Sequence, residues 1–412
     1  MSQQSTEPDG TRPERIVVVG GGLAAAKAVE GLRERGYTGS ITLVGAEEHL
    51  PYERPPFSKG VLLGNEEPDS ATVHDRDWYA EHDVELLLGT RASAVDLAGR
   101  TVTAGGRTLP YDALLVATGS RPRHLAMADG SGAPVAYLRT RDDSLALRPQ
   151  LREGVSVLVV GAGWIGLEVA SAARQDGADV TVVEPAEVPL ARVLGPELGE
   201  RFAQLHRDHG VDLRLGVGVE AIEHGDDGTD VTLSDGSHLH PDLLVVGIGV
   251  EPEVELAEQA GLEVDNGILV DARLRTSDPH VWAAGDVANH DHPVLGARIR
   301  VEHWDVALNQ GTYVAGSMLG GDEPYTNQPY FFTDQYDWGM EYVGHVGPDG
   351  YDEVVTRGEP ADGMTAFWLK DGRILAAMQV NDWDATDHLR PLVGRPAPEK
   401  LGDPSVPLAE LH

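Results

Sequence analysis

The stretch that decides the fold is Ile16-Val17-Val18-Val19-Gly20-Gly21-Gly22-Leu23-Ala24-Ala25, which runs from β-branched residues through a glycine turn into an alanine-rich segment. The β-branched run reads as a buried strand, and residues 23–35 read as a helix that Gly36 ends before a second strand at 40–44. The same layout returns about 140 residues later, with a strand at 155–160, the turn Gly161-Ala162-Gly163, a helix at 164–175 and a strand at 180–183. Strand, glycine turn, helix and strand make a parallel βαβ unit. Two copies one domain length apart predict two doubly wound domains.

Each turn carries a dinucleotide fingerprint. In Gly20-x-Gly22-x-x-Ala25 the first two positions admit a pyrophosphate and the third lets the helix pack on the strand. Glu47 lies just past the second strand, 22 residues after Ala25, where an acid accepts hydrogen bonds from an adenosine ribose. In the second copy, Gly161-x-Gly163-x-x-Gly166, Glu184 takes the equivalent place 18 residues on. A single glycine turn also suits other α/β folds, but two copies, each with its strand, helix and acid, argue for two nucleotide sites. The chemically useful pair of dinucleotides is FAD with NAD(P)H, because a flavin accepts a hydride and then releases electrons singly. Around Glu184 a 2′-phosphate would meet carboxylates, with no arginine before Arg192, so NADH is favoured over NADPH.

Between the fingerprints, residues 101–116 read as antiparallel strands around a Gly105-Gly106 turn, and after the second βαβ unit 231–246 repeat the pattern around Asp235-Gly236. From about residue 324 the chain turns aromatic and rich in turn pairs, including Pro348-Asp349-Gly350, which predicts a third, smaller α+β domain with a strand at 373–380. The 412 residues include no cysteine. That excludes disulfide frameworks, thiolate metal sites, thiol nucleophiles and enzymes that store electrons in a dithiol pair. With 32 basic against 67 acidic residues the formal charge is −35, which argues against nucleic acids and anionic membranes as partners. The polar start, with Glu7 and Asp9, has no signal-peptide core, and no apolar run is long enough for a membrane span. A cytoplasmic protein with a disordered tail over residues 1–13 is expected. His290-Asp291-His292, read as a loop, lacks a third ligand, so no metal site is expected. Neither a GxSxG nor an HExxH run supports hydrolysis.

The run Leu50-Pro51-Tyr52-Glu53-Arg54-Pro55-Pro56-Phe57-Ser58-Lys59 resembles the signature of the FAD-dependent ferredoxin reductases of bacterial oxygenase systems, the putidaredoxin reductase-like family. Further matches, in the family's order, are Ala117-Thr118-Gly119, the segment from Gly161 to Glu168, Leu190-Ala191-Arg192-Val193-Leu194, Gly247-Ile248-Gly249, Ala284-Gly285-Asp286-Val287-Ala288, Glu302-His303-Trp304, Gln310-Gly311 and Thr333-Asp334-Gln335-Tyr336. The resemblance covers residues 14–390. It implies an α/β fold with two Rossmann-like domains in the glutathione-reductase-like arrangement. The FAD domain would be discontinuous, at 14–118 and 250–323, the NAD domain would occupy 119–249, and a C-terminal interface domain would occupy 324–412.

The resemblance also implies roles. Gly20, Gly22, Ala25, Glu47, Arg54, Lys59, Thr118, Gly119, Asp286, Glu302, His303 and Trp304 would serve FAD, with Asp286 on the ribityl chain, Arg54 and Lys59 as cations at the flavin, and the Trp304 segment along the isoalloxazine. Gly161, Gly163, Ile165, Gly166, Glu184, Arg192 and Gly249 would serve NADH. Glu168 would pair with Lys59 near the flavin edge, and Lys59, Glu168 and Trp304 would be the catalytic residues. Phe332 stands where the family usually has tryptophan, which keeps stacking and loses an indole donor.

The implied activity is hydride transfer from NADH to FAD, then single electrons to an iron–sulfur ferredoxin that feeds a haem monooxygenase or a ring-hydroxylating dioxygenase. Arg298 and Arg300 are candidates for a basic patch facing an acidic ferredoxin. A monomer or weak homodimer is expected. Two alternatives remain open: a reductase of rubredoxin or another acceptor on the same fold, and an apoptosis-inducing-factor-like protein that binds FAD and NADH as an interaction partner.

Overall fold

Arg15–Val19, buried from its second residue onward, is the middle strand of a five-stranded parallel sheet. Its neighbours run in the order Val281–Ala283, Ala113–Val116, Arg15–Val19, Ser40–Val44 and Val84–Leu87. A parallel sheet is covered on both faces, which is why these strands read as continuous Val, Ile and Leu rather than alternating. Helices Leu23–Glu34 and Trp304–Met318 pack on one another, with Val29, Leu32, Val314 and Met318 in the core.

Ser156–Val160 holds the matching place in a second parallel sheet, in the order Asp212–Leu215, Asp179–Glu184, Ser156–Val160, Leu243–Val246 and Val135–Ala136. Residues 101–116 do not form one antiparallel set. Thr101–Ala104 pairs antiparallel with Ala92–Asp96 on one side and Arg107–Pro110 on the other, whereas Ala113–Val116 crosses into the first parallel sheet. Its four consecutive buried residues explain the crossing, since a half-exposed hairpin would leave every second one in water. In the second copy, Leu243–Val246 likewise leaves the hairpin pattern for the parallel sheet.

The computed structural model describes residues 12–347 and 349–411, and these divide into two compact units. The tail expected over 1–13 lies outside the described residues as far as residue 11, as does Pro348 of the expected turn. The first unit holds the chain up to Glu53, Ala71–Arg121 and Glu251–Asn327; the second holds Arg54–Ser70, Pro122–Val250 and the chain from Gln328. The C-terminal part of the second unit is a five-stranded antiparallel sheet ordered Tyr330–Gln335, Trp338–Gly344, Arg373–Val380, Gly363–Lys370 and Glu353–Glu359. Its Trp368, Met340 and Val380 share one core with Leu167, Leu194 and Phe202, and Trp368 Nε1 donates to the Leu194 carbonyl at 3.1 Å. His290 and His292 lie on a strand, Ala288–His292, rather than a loop; His292 Nδ1 accepts the amides of Val294 and Leu295 and so shapes the turn that follows. Among the described residues, no helix is long and apolar enough to cross a membrane.

Candidate active site

The two glycine turns are built alike. Gly20 sits at φ +132°, donates its amide to the Val44 carbonyl at 2.9 Å, and passes so close to the neighbouring strand that a β-carbon would stand 2.0 Å from the Ala117 oxygen. Gly161 repeats this at φ +104°, with its amide on Val183 at 2.8 Å and a β-carbon position 2.5 Å from the Gly247 oxygen. Only glycine fits such a turn. A β-carbon at Gly22 or Gly163, by contrast, would meet no protein atom within 4 Å. These residues are the N-caps of the 12-residue helices Leu23–Glu34 and Trp164–Gln175, and neither helix start has a side-chain cap or an acid in its first turn. Amide donors at an uncapped helix start, beside open space, fit a pyrophosphate. Ala25 is fully buried at the third position of the first turn, and at Gly166 a β-carbon would stand 2.1 Å from the Gly161 oxygen. The residues present therefore fit two dinucleotides.

Around the first turn, Glu47 accepts the Tyr52 hydroxyl at 2.6 Å. Buried Asp286 accepts the Ser120 hydroxyl at 3.1 Å. Thr118 Oγ1 donates to the Glu253 carbonyl at 2.7 Å while the Glu253 amide donates to Gly119 at 2.9 Å, which fastens the chain just beyond Ala113–Val116. Glu302 pairs with Arg300, and His303 caps the helix that Trp304 begins. The arginines proposed as a docking patch are engaged internally. Arg298 Nη1 donates to the carbonyls of Val270 and Asn289 at 2.8 and 2.7 Å. Arg300, its side chain 7% exposed, serves Glu302, Asn266 and the Asp286 carbonyl. Arg300 is thereby withdrawn from solvent, whereas Arg298 remains an exposed residue.

Around the second turn, Glu184 accepts the amides of Ala162 and Ala186 at 2.8 and 3.0 Å, so it also holds the glycine turn in shape. Ile165 and Ile248 expose unusually large apolar surface, about 40% each, just beyond the carboxyl ends of two adjacent strands. Gly249 follows at φ +101° with its carbonyl on the Arg123 amide, and Arg192 is exposed in the first turn of Ala191–Asp208. In an open α/β sheet that edge is where ligands bind.

Lys59 and Glu168 meet as expected. Lys59 Nζ lies 2.7 Å from Glu168 Oε1, the Glu168 side chain being 4% exposed. Pro55–Ser58, a short 3-10 turn, presents Ser58 as well, whose hydroxyl donates to Glu168 Oε2. Thr333 Oγ1 donates to Oε1 at 2.6 Å, and the Phe332 ring centre lies 5.4 Å from Lys59 Nζ, a cation–π distance. Arg54, at the start of the same turn, donates to the Arg139 carbonyl at 2.6 Å. Ser58 and Thr333 went unassigned in the sequence although both lie in motifs quoted above; strand alternation places Thr333 and Gln335 on one face, but nothing in the sequence says what that face meets.

Comparison with known proteins agrees with this geometry. Residues 14–311 match the pyridine nucleotide-disulphide oxidoreductase family, and residues 330–412 match the reductase C-terminal family. The ferredoxin–NAD(+) reductase component of the anthranilate 1,2-dioxygenase system of Burkholderia cepacia is 43% identical, over 95% of this chain and 98% of its own length. Putidaredoxin reductase of Pseudomonas putida is 36% identical over 97% and 96% of the two chains. A crystal structure of the covalent putidaredoxin reductase–putidaredoxin complex superposes with a TM-score of 0.92, at 36% identity over 97% of this chain and 98% of that one. The chain therefore belongs to the pyridine nucleotide-disulphide oxidoreductase family, among the putidaredoxin reductase-like reductases of oxygenase systems.

Proposed function

We propose that this protein is a cytoplasmic, FAD-dependent NADH:ferredoxin oxidoreductase whose ferredoxin supplies an oxygenase. The observation that carries the reading is the conjunction of two open, uncapped glycine turns with the buried Lys59–Glu168 pair in a chain that has no cysteine. FAD, when bound, supplies a two-electron acceptor for the nicotinamide and a one-electron donor for the carrier, so protein sulfur is not needed. Gly20, Gly22 and Ala25 seat its pyrophosphate; Glu47, Thr118, Gly119, Asp286, Glu302, His303 and Trp304 complete its site; and Arg54 and Lys59 are its cations. Gly161, Gly163 and Gly166 seat the NADH pyrophosphate, Glu184 takes the ribose, and Ile165, Gly249 and Arg192 flank it. Glu168 offsets the Lys59 charge while keeping the ammonium in one place. The relatives whose names specify ferredoxin–NAD(+) reduction support the choice of acceptor.

Anaerobic titration of the purified protein with NADH tests the reading, followed by cytochrome c reduction with and without added ferredoxin. Bleaching of bound flavin and ferredoxin-dependent turnover are expected. A purified protein without flavin, or turnover that rubredoxin restores and ferredoxin does not, overturns it.

A further inference from the structure

Glu168 Oε1 ends a longer line of hydrogen bonds that the roles above do not use. Thr333 and Gln335, each 1% exposed, stand two residues apart on Tyr330–Gln335 and so leave one face of the strand. Thr333 Oγ1 lies 2.6 Å from Glu168 Oε1 and 3.1 Å from Gln335 Nε2. Gln335 Oε1 lies 2.9 Å from Nε2 of His206, a fully buried residue of Ala191–Asp208, and His206 Nδ1 lies 3.4 Å from the Tyr336 hydroxyl.

The direction of every bond follows from the charge at one end. A carboxylate only accepts, so the single Thr333 proton goes to Glu168, and Thr333 must in turn accept from the Gln335 amide. The Gln335 carbonyl then faces His206, which must carry its proton on Nε2 and leave Nδ1 to accept from Tyr336. Burial keeps the imidazole neutral, its pKa pushed down to about 4. Successive donors aligned toward an anion polarise one another. The far end is firmly anchored as well. Tyr336 takes the left-handed backbone at φ +54°, which costs energy for a bulky residue, while its amide donates to Ser171 Oγ at 3.0 Å and its ring stacks on His209 at 3.7 Å.

We propose that Thr333, Gln335 and His206 are positioning residues, a one-directional donor chain that holds Glu168, and through it the Lys59 ammonium, in a single geometry for electron transfer from NADH. The kinetic consequence rests on the oxidoreductase reading; the tautomer does not. Long-range proton–nitrogen NMR of the holoenzyme with labelled histidine should find His206 neutral with its proton on Nε2. Thr333→Val should slow flavin reduction by NADH about tenfold, the loss of one charge-assisted donor, with NAD affinity changed less than twofold, and Thr333→Ser should recover most of the rate. Should Thr333→Val fail to fold, Gln335→Met removes the donor to Thr333 and must slow reduction similarly. A proton on Nδ1 of His206, or wild-type reduction rates in the variants that fold, overturns the proposal. Wild-type holoprotein that NADH never reduces overturns the functional reading instead and leaves the tautomer result to judge the chain.

Discussion

At the scale of single residues, buried donors converge on one carboxylate. Glu168 is almost wholly out of water and is held by Lys59, Ser58 and Thr333, a donor set drawn from two segments distant in sequence. Removing one member of such a buried pair strands the other. Lys59→Met should therefore lower unfolding stability by about 3 kcal/mol. Glu168→Gln should do likewise, and the double variant should lose less than the two singles combined, which urea unfolding of all four proteins checks. Glu184 is a second two-purpose acid, because it fastens the turn amides of Ala162 and Ala186 as well as facing the proposed ribose. Exchanging it for serine with an arginine placed after it should move preference toward NADPH, while NADH affinity falls because the turn loosens. An unchanged ratio of NADH to NADPH turnover would place the ribose contact elsewhere.

At the scale of elements, each strand–turn–helix unit separates a glycine that the fold needs from one that faces open space, where the proposed dinucleotide would lie. Gly161→Ala puts a methyl against the Gly247 carbonyl on a backbone at φ +104°, so about 2 kcal/mol of stability should be lost along with NADH binding. Gly163→Ala meets no protein atom, so its melting temperature should stay close to wild type while NADH binding weakens at least tenfold, as calorimetry on the flavin-loaded protein would read. This layer was the most legible one. The expected helix at 164–175 and the strand at 373–380 are observed as Trp164–Gln175 and Arg373–Val380, because helix period, glycine punctuation and β-branched runs are local signals. Ala113–Val116 joins the parallel sheet rather than the expected antiparallel set, because four apolar residues in a row do not state which sheet will cover them on both sides.

At the scale of the molecule, two properties set its behaviour. Without cysteine, turnover should be indifferent to arsenite and to thiol alkylation, and inhibition by either would contradict electron flow without protein sulfur. Burial also holds His206 and His290 neutral, with pKa values pushed down to about 4 from 6.5. The unfolded chain therefore takes up those protons first. Stability present above pH 6.5 drains as pH falls toward 4, by up to about 3 kcal/mol for each histidine. The urea midpoint should drop across that window, and less steeply in His206→Gln. What the sequence determined by itself was the pair of nucleotide folds, the family and the sulfur-free reaction type, because glycine turns, strand runs and the absence of cysteine are properties of the chain read locally or by count. Only the tertiary structure decided that Thr333, 165 residues from Glu168, and His206, 129 residues from Gln335, join one hydrogen-bonded line. Such contacts arise when separate segments are packed into a common core, where desolvation makes each polar atom find its partner.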